Sequence, residues 1–191
     1  MWKTLWRAFV LLVGLTVLTG VFYPLIVTGL SQMVFPTRAN GSIVRRSGRE
    51  IGSELIGQDF SAPKYFHGRP SASRYDATAS GGSNLAQTNR KLVRLLKFRV
   101  AEIREEDRLA ARQKVPSDRV TSSASGLDPD LTIEGAMSQV HRIAAVRRID
   151  EKALRQLVKR SAERPFLGIF GSPRVNVLKL NLALDSLANR R

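Results

Sequence analysis

Between Arg7 and Arg38 the chain carries no charged side chain, and from Ala8 to Phe35 its polar members are mild: Thr16, Thr19, Thr28, Ser31 and Gln32. A hydrocarbon core of about 30 Å is crossed by roughly 20 mainly apolar residues in a helix. This stretch is longer; fully helical, it would measure about 42 Å at 1.5 Å per residue. A cleaved signal peptide has an apolar core of roughly 7–15 residues and a small-residue cleavage site. Here the run outlasts that core, and Thr37-Arg38-Ala39 is a poor site. The sequence therefore predicts a retained single anchor at 8–35, a short head at 1–7 and a soluble domain at 36–191. Ser31 and Gln32 are expected to leave the hydrocarbon.

Thr16, Gly20 and Tyr23 fall on one side of that helix. Small residues on one side let a partner helix approach closely. Glycine and threonine are also common in membrane helices, so partner packing and ordinary composition weigh equally. Pro24 has no N–H for the Gly20 carbonyl, so a bend is expected there. Lys3, Arg7 and the amino terminus precede the anchor; Arg38, Arg45, Arg46 and Arg49 follow it. The positive-inside comparison is thus nearly balanced, and a long domain can be translocated whatever its charge. The short head favours a cytoplasmic N-terminus and an extracytoplasmic body.

Of 31 Lys and Arg, only Lys3, Arg7 and Arg38 precede Ala39, which leaves 28 against all 16 acidic residues, a net +12 for the body. Such an excess suits nucleic acid or anionic lipid. No short run is densely basic, however, and aromatics do not interleave with the arginines, so no nucleic-acid surface is expected. There is no cysteine, hence no disulfide and no thiolate metal site.

Ile43-Val44 reads as a short strand. Proline and glycine then divide Gly52 to Ala72 into loops and extended pieces, with Tyr65 and Phe66 plugging the core and His67 a packing or surface residue. Arg74 to Asn84 is a loop. It runs into a helical pattern over Leu85–Gln113, which Ser83 or Asn84 can cap with Gln87 three residues on. Within it Glu102, Glu105, Glu106 and Asp107 alternate with Arg99, Arg104 and Arg108 as a solvated, ion-paired face. Thr132 can cap a helix from Ile133 to Arg148, and Asp150 another from Glu151 to Ala162. Pro165 ends it, and Phe166 and Phe170 anchor a turn. From Val175 to Leu184, Leu178, Leu180, Leu182 and Leu184 alternate with polar or small residues, the pattern of a half-buried strand with Asn176 and Asn181 opposite. The fold class expected is α+β: one transmembrane helix, then a single extracytoplasmic domain of several helices and a small sheet.

The chain lacks a Gly-x-x-x-x-Gly-Lys-Ser/Thr phosphate loop, a Gly-x-Gly-x-x-Gly turn, a His-Glu-x-x-His pair and a Gly-x-Ser-x-Gly elbow. No catalytic residue and no metal ligand set emerges, and catalysis by this chain alone is disfavoured. Two loops keep alternatives open. Ser80-Gly81-Gly82-Ser83, read as opening onto a helix N-terminus, is either an anion or nucleotide phosphate seat or a capped turn. Asp128 and Asp130 either hold a cation or form a turn with a cap.

Several long motifs stand in order: Tyr23-Pro24; Gly52-Ser-Glu-Leu-Ile-Gly57-Gln58; Tyr65-Phe66 through Arg69-Pro70-Ser71-Ala72; Tyr75 through Asn84; Val120 through Pro129; and Arg174 through Asn181. Together they cover nearly the whole chain and resemble the KdpC family, the C subunits of the bacterial Kdp potassium-transporting P-type ATPases. Gly171-Ser172-Pro173 and Ile133-Glu-Gly-Ala136 depart slightly from that pattern. The resemblance implies an inner-membrane complex with two partners, a channel-like potassium-binding subunit and a P-type ATPase subunit. It implies a stabilising, chaperone-like role that promotes ATP binding by the ATPase subunit. No tightly bound cofactor follows for this chain, and ATP enters through the complex. Two other readings remain open: a nucleotide-binding regulator using Ser80–Asn84, and a tethered module that binds anionic lipid or polymer through its arginines.

Overall fold

In the computed structural model, residues 1–46, 48–110, 112–165 and 167–188 are described. The chain divides into two compact units, Met1–Glu50 and Ile51–Arg191. In the first, α1 (Trp2–Val17), a π-helical turn (Leu18–Phe22) and α2 (Tyr23–Val34) run on as one apolar helix with no buried residue. By length and composition it can cross a membrane, the one such helix among the described residues. Pro24 stands near the start of α2. Just before it the Tyr23 N–H reaches the Leu18 carbonyl, five residues back. This wider turn gives the proline ring and the Gly20 carbonyl room that an α turn would deny them. A single turn, α3 (Pro36–Ala39), follows, and the Gln32 and Asn40 side-chain amides bond to each other at 3.1 and 3.2 Å. Strands β1 (Ile43–Arg46) and β2 (Arg49–Ser53) pair in a hairpin, as Ile43-Val44 predicts.

The second unit holds α4 (Arg90–Glu106), α5 (Ser117–Val120), β3 (Asp130–Thr132), α6 (Ile133–Met137), α7 (Val140–Arg147), α8 (Glu151–Arg160), β4 (Ala162–Glu163), β5 (Arg174–Asn176) and α9 (Val177–Ala188). β5 lies between β3 and β4, antiparallel to both, with Val175 opposite Leu131 and Ala162. Helices α6 to α9 and the sheet enclose a core of Phe66, Val140, Ile143, Leu154, Val158, Val175, Leu180 and Leu184. The class is α+β, and Phe66 is the fully buried plug its sequence context suggests, with Tyr65 against the same core.

Three elements differ from the sequence pattern. The long strand over Val175–Leu184 is only β5, and the leucines belong to helix α9. Alternate leucines also satisfy a helical period: Val177, Leu180, Asn181 and Leu184 share the buried face while Leu182 is half-buried. Asn176 caps the helix by accepting from the Lys179 N–H at 3.1 Å, the position a capping asparagine takes. Asn176 and Asn181 are accordingly buried rather than on an open face. The helix expected from Leu85 starts at Arg90, because Asn89 caps it at 2.8 Å to the Lys91 N–H, and it ends at Glu106 rather than Gln113. The helix from Thr132 does start with that cap, Thr132 Oγ1 accepting from Gly135 at 2.9 Å, but it breaks at Ser138-Gln139 into α6 and α7. Helix α8 follows Asp150 and stops at Arg160, and Ala162 joins a strand. Phe170 is 64% exposed and anchors nothing, and Phe166 lies outside the described residues.

Asp107, read from sequence as part of a solvated face, is fully buried. It leaves helical geometry right after α4 (φ −85°, ψ 1°), so the helical spacing that sets it beside Glu106 no longer applies. Its carboxylate accepts from Arg119 Nη2 at 3.0 Å and from Arg142 Nε at 2.7 Å, and both arginines are buried. Arg142 also donates to Gln139 Oε1 at 2.8 Å and to the carbonyls of Pro63 and Tyr65. Glu106 stands 3.6 Å from Arg142, so two guanidinium groups face two carboxylates. Buried charge is tolerated when it is paired and hydrogen-bonded, and becomes strongly destabilising when one partner is lost.

Phe66 and His67 lie outside any helix or sheet. Their buried backbone groups still need partners, and two side-chain amides supply them. Asn181 accepts from the Phe66 N–H and donates to its carbonyl, both at 2.9 Å. Gln139 does the same for His67 at 2.8 and 3.1 Å. Each amide offers one acceptor and two donors, the complement of one residue of backbone.

Leu180→Ala should cost about 2–5 kcal/mol, and Leu182→Ala clearly less, since only Leu180 is fully buried. Chemical denaturation of the detergent-solubilised chain reads both, and equal costs would argue for the strand. Asp107→Asn should cost about 3–5 kcal/mol by stranding two arginines. Glu102→Gln on the exposed face of α4 should leave the melting temperature nearly unchanged, as circular dichroism would show.

Candidate functional site

The loops that carry the polar motifs meet one another in the second unit. The Gly57 N–H donates to the Leu127 carbonyl at 2.7 Å, and a side chain on Gly57 would fall 2.5 Å from the Asp128 carbonyl. Ser71 Oγ donates to the Gly126 carbonyl at 2.7 Å and accepts from the Tyr75 N–H at 2.8 Å. Gly126 takes a left-handed backbone (φ 70°) while the Gly81 carbonyl and Ser73 Oγ close on it, a place for glycine alone. Arg69 joins Asp128 at 2.8 Å, Arg99 donates to the Val120 carbonyl at 2.8 Å, and Tyr75 donates to the Arg69 carbonyl at 2.5 Å. Beneath them Asp118 is buried and accepts from the Thr132 N–H at 2.7 Å. Its Oδ2 lies only 2.6 Å from where a Cβ on Gly135 would stand, which accounts for glycine in this helix start.

Ser80, Gly81, Gly82 and Ser83 do not open onto a helix: α4 begins at Arg90, seven positions beyond Ser83. Ser80 Oγ and the Gly81 N–H both donate to the Ser125 carbonyl, at 3.0 and 2.8 Å, and Gly82 lies against the Ala124 backbone. Thr16, Gly20 and Tyr23 all sit exposed on the apolar helix, and nothing lies within 4 Å of a Cβ built on Gly20. Asp128 and Asp130 form a side-chain turn, Asp128 Oδ1 accepting from the Asp130 N–H at 3.0 Å. Their other oxygens meet Arg69 and Arg174, at 2.8 and 3.0 Å. Among the described residues no cluster of three His, Asp or Glu is placed to hold a metal ion.

His67 Nδ1 lies 3.1 Å from Glu106 and Nε2 3.1 Å from the Ala62 carbonyl. Burial and then the Arg142 charge hold its pKa below the ordinary histidine value, although Glu106 pulls upward. Burial pushes the Tyr75 hydroxyl up to about 12, so it stays a donor. Burial likewise raises Asp130, against the opposing Arg174. A cleft of about 470 Å³ is lined by Lys114, Glu134, Met137, His141, Glu151 and Arg155. On its wall Glu151 meets His141 of α7 at 2.6 Å and Arg155 one turn on in α8 at 3.4 Å. Sequence reasoning missed Arg69, Arg119, Arg142, Gln139 and Asn181 as the residues that tie this region. A signal was present for Gln139 and Arg142: three apart, they lie at core-facing spacing with Val140, Ile143 and Ala144.

The family model described as "KdpC: K+-transporting ATPase, c chain" matches residues 5–186. The chain is 48% identical to the potassium-transporting ATPase KdpC subunit of Rhodopseudomonas palustris, over the full length of both. It is 50% identical to that of Polaromonas naphthalenivorans, over 94% of the chain and 93% of the relative. With that of Caldanaerobacter subterraneus the figure is 48%, over 88% and 87%. With the motifs in order, the α+β body behind one apolar helix and near-complete coverage, the chain belongs to the KdpC family, the C chain of the K+-transporting ATPase.

Proposed function

We propose that the chain is a non-catalytic subunit of an ATP-driven potassium uptake pump in the bacterial inner membrane. Residues 1–7 are cytoplasmic, 8–35 cross the membrane once in contact with lipid, and 36–191 form an extracytoplasmic domain. Its partners are the channel-like potassium-binding subunit and the P-type ATPase subunit, and Thr16, Gly20 and Tyr23 present the face on which a partner helix docks. An external body cannot touch cytoplasmic ATP. The chain therefore promotes ATP binding by the ATPase subunit through stabilising the assembly.

One observation carries the scaffold reading. The polar motif residues are engaged with one another: Ser80 and Gly81 with Ser125, Ser71 with Gly126, Arg69 with Asp128. A body knit in this way offers shape and rigidity rather than reacting groups. The competing use of Ser80, Gly81, Gly82 and Ser83 as a nucleotide seat would compete for the Gly81 N–H with the Ser125 carbonyl.

Gly20→Leu should insert normally yet lower the amount of partner subunits that co-purifies, because a bulky side chain blocks close helix approach. Full recovery of partners would defeat the docking claim. Titration calorimetry of the purified chain with ATP should show no binding heat. Binding that is lost when Ser80 and Ser83 become alanine would establish the nucleotide seat instead. For topology, Ser186→Cys in this cysteine-free chain should react with an impermeant reagent added outside intact cells. Labelling only after the membrane is opened would reverse the orientation.

A further inference from the structure

Between β4 and β5 the chain presents an apolar tip. Leu167 and Ile169 are 74% and 79% exposed, more than any other large apolar side chain described in the second unit, and Phe170 is 64% exposed. Gly168 and Gly171 take left-handed backbone (φ 75° and 95°), which turns the chain sharply around these side chains. Large apolar side chains exposed together mark a site of interaction.

Charge identifies what covers them. No charged residue lies between Arg164 and Arg174. Lys159 and Arg160 close α8 just before the tip in sequence and Arg164 follows them, while Arg174 on the far side is paired with Asp130 at 3.0 Å. The acid beside it, Glu163, is held by Arg174 at 3.6 Å and Lys179 at 3.3 Å. An apolar loop flanked in sequence by Lys159, Arg160 and Arg164 matches an anionic lipid surface, where the apolar groups enter the interface and the cations meet the headgroups.

We infer that Leu167, Ile169 and Phe170 form a second membrane contact, a loop that dips into the interface of a bilayer rich in acidic phospholipid. The contact rests on the membrane-anchored reading of the apolar helix, and the test separates the two.

The chain has no cysteine, so single cysteines can be placed at will. Ile169→Cys, Val146→Cys on α7 and Leu15→Cys in the anchor, each carrying an environment-sensitive fluorophore, are reconstituted as full-length chains. The vesicles contain equal parts phosphatidylglycerol and phosphatidylcholine, or phosphatidylcholine alone, with nitroxide-bearing lipid as quencher. The fluorophore at 169 should shift to the blue and lose intensity to the nitroxide in the acidic vesicles. The loss should shrink in phosphatidylcholine alone and in 1 M salt, where the Debye length is about 3 Å. The fluorophore at 146 should show neither effect, and that at 15 should be quenched throughout. A probe at 169 no more quenched than the one at 146, with 15 still quenched, overturns the loop contact and leaves the anchor standing. A blue shift at 169 that appears only when the partner subunits are added, without lipid quenching, makes the loop a protein contact and also overturns it. If 15 is not quenched, the anchor reading fails and the loop contact with it.

Discussion

The carboxylate of Asp107 is the constraint around which the body closes. It is buried between two buried guanidinium groups, and each arginine then reaches a different part of the chain. Arg142 leads to Pro63, Tyr65 and Gln139, and Arg119 to the His67 carbonyl. Removing charged groups from water costs several kcal/mol per ion, so the arrangement holds only when all members are in place. The end of α4, the short α5 and the start of α7 are thereby brought together at one point. The Phe66-His67 segment, clamped by Asn181 and Gln139, is threaded beside it.

Polar groups do here what a large sheet does in other α+β bodies. The strands are short, two to five residues, and they cannot order the long irregular stretch from Glu54 to Asn89. That stretch is instead tied to the loop before β3 by Gly57–Leu127, Ser71–Gly126, Arg69–Asp128 and Gly81–Ser125. Long motifs rich in Ser, Gly, Asp and Asn suggest a ligand site when read along the sequence. In space several of them meet along one seam through the bonds just named.

Much of this was legible in one dimension. The apolar helix follows from the length and apolarity of a single stretch, a local property that no packing can alter. The Thr132 cap, the strand at Ile43-Val44, the helix after Asp150, the burial of Phe66 and the family motifs also rest on neighbouring residues or on their order. Helix starts were less secure, because Ser83, Asn84 and Asn89 are all capable caps, and their side chains alone do not say which one the chain uses.

The remainder was decided by tertiary structure. The run from Val175 to Leu184 fits both a period of two and a period near 3.6, and only packing against the core selects the helix that buries Leu180, Asn181 and Leu184 together. Asp107 reads as one more acid on a charged helix until α4 ends and carries it inward to Arg119 and Arg142, 12 and 35 residues away. Asn181 and Phe66 are 115 residues apart, and Gln139 and His67 are 72 apart. The sequence by itself determined that the chain has an apolar helix long enough to cross a membrane, has an α+β body and carries the KdpC motifs, because these depend on composition and local order. The tertiary structure alone decided which polar residues hold that body together. A buried charge or amide is fixed by the partner that satisfies it, and those partners lie far along the chain.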